Sequence, residues 1–393
     1  MIAEPFSLSR NVVATAVEKF LQSLIQAVQR VFGGRLGNLR VAVGAVIVSL
    51  FVNFPAYHSF NYILHNDLII QAISAKIQHP LTPIPSNLTS LPLTQGVGSH
   101  INKLELRLTV PILGRLSGTG IWTVVIWSHL SGFGVFYLLA LLANKALNDE
   151  VGAALFVLGI SSTFLGGYFF NDLDNGDGVA FFFLLLSIAT GNVLVSSVCF
   201  LAAAFCDERA AAAIPLLLLY LALRHSGDQE KSLRRNLSIA ILVGAGVWGL
   251  LRSWISIHFH LTMGTSDLAT RAIFRQHMFS TLPDVFLKVF KASWVLPLFA
   301  VSSLALLRKW GLFVAFAGAF AVAIAPAFMV WDFDRSACYA FVALLISLYF
   351  LRGDKAASRR YLAAILIVNL LLISPGATIF RIPFKAIFGF STR

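Results

Sequence analysis

Charge is what this sequence lacks. Of its 393 residues 12% are Asp, Glu, Lys or Arg, against 58% hydrophobic. Soluble domains carry roughly a quarter of their residues as charges, so the apolar surplus here has to face something other than water. A bilayer meets that need; a soluble globular domain, a coiled coil and a disordered chain do not. Cysteine is equally scarce. Cys199, Cys206 and Cys338 lie in or beside apolar segments, with no CxxC or Cys/His zinc spacing and no disulfide framework implied. Also missing are a GxGxxG after a strand, a Walker A lysine, HExxH and GxSxG, so the soluble-enzyme chemistries they carry have no foothold. Acids are the scarcer sign, 18 against 30 Lys and Arg, for a net charge of +12. In a membrane chain that excess sits in cytoplasmic loops and sets orientation; it does not indicate a nucleic-acid partner.

Long apolar runs are what the sequence does have. A helix crossing hydrocarbon needs about 20 mostly apolar residues. Segments 41–57, 121–142, 151–170, 237–251 with its flanks, 294–307, 311–330, 337–351 and 361–374 read as spans. The stretch 179–223 is longer than one span and is interrupted at Gly191-Asn192 and at Cys206-Asp207-Glu208-Arg209, so it reads as two or three short helices. The expected fold is all-α, a polytopic transmembrane bundle of roughly 9–12 membrane helices with interfacial amphipathic helices beside them. Trp122, Trp294, Trp310 and Trp331 fall near span ends as an aromatic belt requires, while Trp127 and Trp248 lie deeper and suit core packing.

Residues 1–40 read as a cytoplasmic amphipathic segment, with Val13, Val17, Phe20, Leu21, Leu24, Ile25 and Val28 on a helical stripe opposite Lys19 and Gln26. They lack the long apolar core of a secretory signal. Residues 41–374 form one transmembrane domain, and 375–393 an interfacial tail. Lys145 and the basic runs 224–235 and 352–360 belong on the cytoplasmic side with the N-terminus, which requires 179–223 to cross an odd number of times.

The opposite side then receives loops 58–107, 171–178, 255–292 and 331–335, and they hold most of the unusual chemistry. The first carries Asp67 in HND, then a proline-rich run, then Arg107. The second is NDLDNGDG, with Asp172, Asp174 and Asp177. The third holds His258 and His260, and the fourth is WDFDR, ending in Arg335. Each has an ordinary reading as well. Asp and Asn are common turn formers, and NDLDNGDG lacks the later bidentate Glu of a calcium loop. His258-x-His260 has no third ligand fixed by spacing and suits the headgroup level, although a divalent ion remains the one cofactor left open. Asp67 is in isolation a solvated loop carboxylate. Arg107 and Arg335 begin apolar segments, as snorkelling anchors or as bidentate forks for a lipid phosphate. Glu208 and Arg209 read as a pair satisfied at a helix turn. Segment 266–291 reads as an interfacial helix pair broken at Pro283.

A first span followed by a long outer loop with an acid near its start, an acidic turn after a later span, and the run AAAFCDERAAAAIPLLLLYLAL over 202–223 together resemble the GT-C superfamily of integral-membrane glycosyltransferases. That resemblance implies a sugar donor on a polyprenyl phosphate, a glycan, lipid or protein acceptor, an outward-facing site in a bacterial inner membrane or its equivalent, and Asp67 as general base. Their shared predicted side, not the resemblance, makes Arg107 and Arg335 candidates to clamp the departing phosphate, Asp172, Asp174 and Asp177 candidates for acceptor or metal contacts, and His258 and His260 candidates for substrate contact. The sequence departs from the family where His65 and Asn66 stand beside Asp67 in place of an acidic pair. A polymerase or acyltransferase of surface polysaccharide, and a transporter or flippase, remain the alternatives. The flippase reading draws on His129, Asp207 to Arg209 and Arg252 as ionisable groups within apolar stretches.

Overall fold

The computed structural model describes residues 5–53, 68–89, 101, 103–171, 176–224, 228–261, 288–329 and 333–372. All regular structure among them is helical. Helix α1 (Pro5–Phe32) is followed by α2 (Gly37–Asn53), and the pair bends by 116° at the intervening break. Gly34 sits there at φ 92°, a left-handed backbone that glycine adopts without a Cβ penalty. Arg40 reaches back to the Val31 and Gly33 carbonyls, at 3.3 and 3.5 Å. Helix α1 therefore lies across the bundle end, with Val28 buried and Val17 and Phe20 exposed.

Next come α3 (Leu68–Gln78) and α4 (Thr109–Ser117), so the expected loop 58–107 contains a helix. The longest early span is α5 (Thr123–Leu147), continuous with a tight turn from Gly120. Segment 151–170 divides at Ser162-Thr163 into α6 (Glu150–Ser161) and α7 (Phe164–Asn171). Stretch 179–223 resolves into three short helices: α8 (Asp177–Ala189), α9 (Val193–Cys206) and α10 (Ile214–Leu223), broken at the two positions the sequence marks. The C-terminal half holds α11 (Asp228–Phe259), α12 (Val295–Leu306), α13 (Trp310–Ile324), α14 (Phe333–Cys338), α15 (Val342–Leu348) and α16 (Lys355–Leu371).

Four continuous helical runs are long and apolar enough to cross a membrane: 120–147, 231–259, 310–328 and 334–351. Counting the bent α1–α2 pair as one span gives five. The expectation of roughly nine to twelve membrane helices thus exceeds what the described residues hold by this measure. The reason is length: helices of 10–14 residues reach about 15–21 Å at 1.5 Å per residue, short of a hydrocarbon core of about 30 Å. Apolar stretches that look like full spans are divided by Ser162-Thr163, Gly191-Asn192 and the Asp207 break.

Side-chain contacts tie the basic segments to one end. Gly34 N donates to Glu150 Oε2 at 3.3 Å, Arg360 pairs with Glu18 at 3.3 Å, and Arg234 donates to the Arg224 carbonyl at 2.6 Å. Arg359 holds Asp149 through two bonds of 2.8 Å, and Asp149 in turn caps α6 by accepting from Val151 N. Helix α5 has Asn144 at this end and Thr123 at the opposite one, where Thr123 lies beside Arg107, Gly176 and Cys206.

Candidate functional site

At that opposite end four helix termini bring charge into the protein interior. Helix α8 begins at Asp177, α9 ends at Cys206 before Asp207, α14 carries Arg335 as its third residue, and Arg107 stands two residues before α4. Asp207 turns the chain in an extended conformation and caps the following 3-10 turn, accepting from Arg209 N at 2.9 Å. Gly176, at φ 72°, allows the entry to α8, and a Cβ there would meet Val110 Cγ2 at 2.7 Å.

Asp207 is the hub. It accepts from Arg107 Nη2 at 3.0 Å, Arg209 Nη2 at 2.5 Å and Arg335 Nη2 at 3.2 Å. Asp177 accepts from Arg335 Nε, from Tyr339 Oη at 2.8 Å and from Arg209 Nη2 at 3.5 Å. Arg209 Nη1 donates to Ser336 Oγ at 2.8 Å, and Arg107 Nη2 also faces Glu208 at 3.4 Å. Asp177 and Asp207 have no solvent exposure, and Arg335 has 2%. Charges at that depth persist only when paired and hydrogen-bonded; here guanidinium groups of Arg107, Arg209 and Arg335 meet the carboxylates of Asp177, Asp207 and Glu208. Burial would raise the Asp207 carboxyl, but Arg107, Arg209 and Arg335 outweigh it and hold Asp207 well below the usual carboxylate range.

Arg107 differs from its neighbours. It is 7% exposed, and its Nε and Nη1 are buried without a hydrogen-bond partner among the described residues. It lines a narrow cleft of about 20 Å³ with Lys76, Trp127, Thr123, Gly176 and Val179. Trp127 Nε1 is likewise buried without a partner among them. Lys76, 1% exposed on α3, donates to the Thr82 carbonyl at 3.1 Å. Burial lowers its ammonium to about 8 despite the opposing pull of Glu105. Two cations and an indole N–H border this partly apolar cleft, a donor set suited to an anion, and Arg107 is held there by Asp207 and Glu208.

The structure thus joins Arg107, Asp177 and Arg335 in one network. Neither arginine snorkels to water. His258 and His260 stay outside it: both are exposed at the end of α11, and His258 stacks on Trp254 at 5.1 Å. Beneath them Ile255 and Leu261 pack with Leu106 and Leu108, the residues flanking Arg107, so the histidines occupy the rim of the same end. Asp67, Asp172 and Asp174 lie outside the described residues; Asp67 immediately precedes Leu68, the first residue of α3. The pairing read for Glu208 and Arg209 is corrected: Arg209 binds Asp207 and Asp177, and Glu208 faces Arg107.

Several residues of the site carry little signal in the sequence. Lys76 is a single lysine in the apolar run LIIQAISAKIQ, Trp127 reads as core, and Ser336 and Tyr339 stand in no motif. Among the described residues no group of three His, Cys, Asp or Glu gathers as a metal site, and Asp177 is spent on cations. No protein-family model, curated protein or solved structure matches this chain.

Proposed function

We propose that this chain is an integral-membrane glycosyltransferase that moves a sugar from a polyprenyl-phosphate-type lipid to an acceptor on the extracytoplasmic side. The observation carrying this reading is Arg107, which lines a cleft with Lys76 and Trp127 and whose buried Nε and Nη1 have no hydrogen-bond partner among the described residues. The cleft lies at the end of the bundle away from the basic segments, where the Lys and Arg bias puts the outer face. In the reaction an acceptor hydroxyl loses its proton to Asp67 and its oxygen attacks the anomeric carbon with inversion. The bond from that carbon to the phosphate oxygen breaks, and its electron pair leaves on the phosphate, where Arg107 and Lys76 stabilise the charge. Arg335 and Asp177 act as positioning residues, since they hold Asp207 in place, Arg335 by direct contact and Asp177 through Arg335, and Asp207 holds Arg107. Asp172, Asp174, His258 and His260 are assigned to acceptor contacts, with a divalent ion as an optional partner of the two aspartates.

A carrier or flippase for the same lipid-linked substrate is the second reading, favoured by the buried ionic network itself. Reconstituted vesicles separate the two. With radiolabelled polyprenyl-phosphate sugar and a mixed glycan acceptor, the enzyme produces labelled acceptor, and Asp67→Asn abolishes it. Movement of intact donor between leaflets with no labelled acceptor overturns the enzyme in favour of the carrier.

A further inference from the structure

A second cavity lies at the opposite, basic end. It occupies about 90 Å³ between α2, the C-terminal end of α5 and the N-terminal end of α6. Its floor is small or aliphatic, Gly37, Val41, Ala140, Ala153 and Ala154, and the Phe32 ring forms part of one wall. Its polar lining consists of Arg35, Asn38, Asn144 and Glu150. The side chains of Arg35, Asn38 and Asn144 bond to no other described residue, and Glu150 accepts one bond, from Gly34 N. Gly34, Asn144 and Glu150 also border a wider opening of about 660 Å³, lined as well by Asn148, Lys355 and Arg359. This is a polar niche with hydrogen-bonding capacity to spare, built into a junction of helix ends where small residues leave room.

Its chemistry selects among ligand classes. The lining carries one exposed guanidinium and one exposed carboxylate, so an anion is repelled by Glu150 and a cation by Arg35. A neutral polyol meets neither penalty. Its hydroxyl oxygens accept from Arg35 and the amide groups, its hydroxyl hydrogens go to Glu150 and the amide oxygens, and its C–H face lies on Phe32. We infer that this niche binds a neutral sugar unit, at a site separate from the Arg107 cleft and independent of the glycosyltransferase reading.

The test uses the full chain in phosphatidylcholine nanodiscs, because maltoside detergents carry the probe's own chemistry. Saturation-transfer NMR is recorded with methyl glucoside, N-acetylglucosamine and phosphoethanolamine. Ring protons of a sugar are expected to receive saturation, with affinity weakened about tenfold by Asn144→Leu, the worth of one or two hydrogen bonds. Ala153→Phe, which fills the floor, should remove the signal. Asn38→Leu provides the same reading if Asn144→Leu does not fold, and an unchanged melting temperature shows that the niche alone was altered. Doping the discs with a monoglucosyl lipid distinguishes sources: loss of the free-sugar signal identifies a glycolipid headgroup, and its persistence a free sugar. Saturation of phosphoethanolamine alone, of no probe, or of sugars equally in all variants overturns the inference.

Discussion

Arg335 donates through Nε to Asp177 across 158 residues of chain, and its Nη2 reaches Asp207 as well. One guanidinium thereby fixes the start of α14 to the start of α8 and the end of α9. Removing one partner leaves a buried charge uncompensated, which costs about 3–5 kcal/mol. Arg335→Gln and Asp177→Asn are each expected to destabilise on that scale in unfolding titrations. Because the two groups share one contact, the double variant should lose clearly less than the sum. Strict additivity would mean that the two groups do not interact energetically.

Arg107 offers a sharper separation of charge from geometry. Arg107→Lys keeps the positive charge beside Asp207 and Glu208 but replaces a planar fork by a point charge. If the unspent Nε and Nη1 donors hold a departing phosphate, turnover falls about 10²–10³-fold, as when one transition-state donor is removed, with the melting temperature close to the parent's. The expected signature is a kcat loss larger than any rise in KM. A variant with full turnover would assign Arg107 to structure alone.

The pH dependence follows from Lys76. Burial lowers its ammonium to about 8, so the group is charged below that value and neutral above it. Retention of an anionic lipid phosphate in the cleft should therefore be strong near neutrality and decline as pH rises through about 8. Lys76→Met should give weak retention across the range and flatten that limb, whereas Lys76→Arg should extend it to higher pH. Binding of a fluorescent polyprenyl phosphate to the purified protein measures all three.

How far the sequence carries is visible in particular residues. The breaks at Gly191-Asn192 and Asp207 are legible because a glycine next to an N-capping Asn, and a run of three charges, interrupt otherwise apolar helices. Arg107, Asp177 and Arg335 are legible as polar residues at the edges of apolar runs. Their convergence is not, since Asp177 and Arg335 pair across a separation that no local pattern reports. Lys76 and Trp127 are hidden for a different reason: each sits at a helix position where the ordinary reading is a snorkelling cation or a packed ring. The roughly 9–12 membrane helices expected exceed the four or five long apolar runs among the described residues because hydropathy sums over short breaks that divide a helix physically.

Gly176 links the fold to the network in a way that can be measured against an internal control. Its φ of 72° already disfavours any side chain by about 1–2 kcal/mol. A Cβ would also come within 2.7 Å of Val110 Cγ2 and 3.3 Å of Cys206 Sγ, beside the thiol that donates to the Gly176 carbonyl. Gly118 has a similar φ of 66°, and nothing lies within 4 Å of the point its Cβ would occupy. Gly118→Ala should therefore show the backbone penalty alone, and Gly176→Ala that penalty plus about 1–3 kcal/mol of overpacking. Adding Val110→Ala should recover part of the second component and none of the first. Because Gly176 immediately precedes Asp177, the same substitution should also displace Asp177 from Arg335 and reduce turnover, while Gly118→Ala leaves turnover unchanged. Equal stability losses at the two glycines would show that α8 enters the network with room to spare.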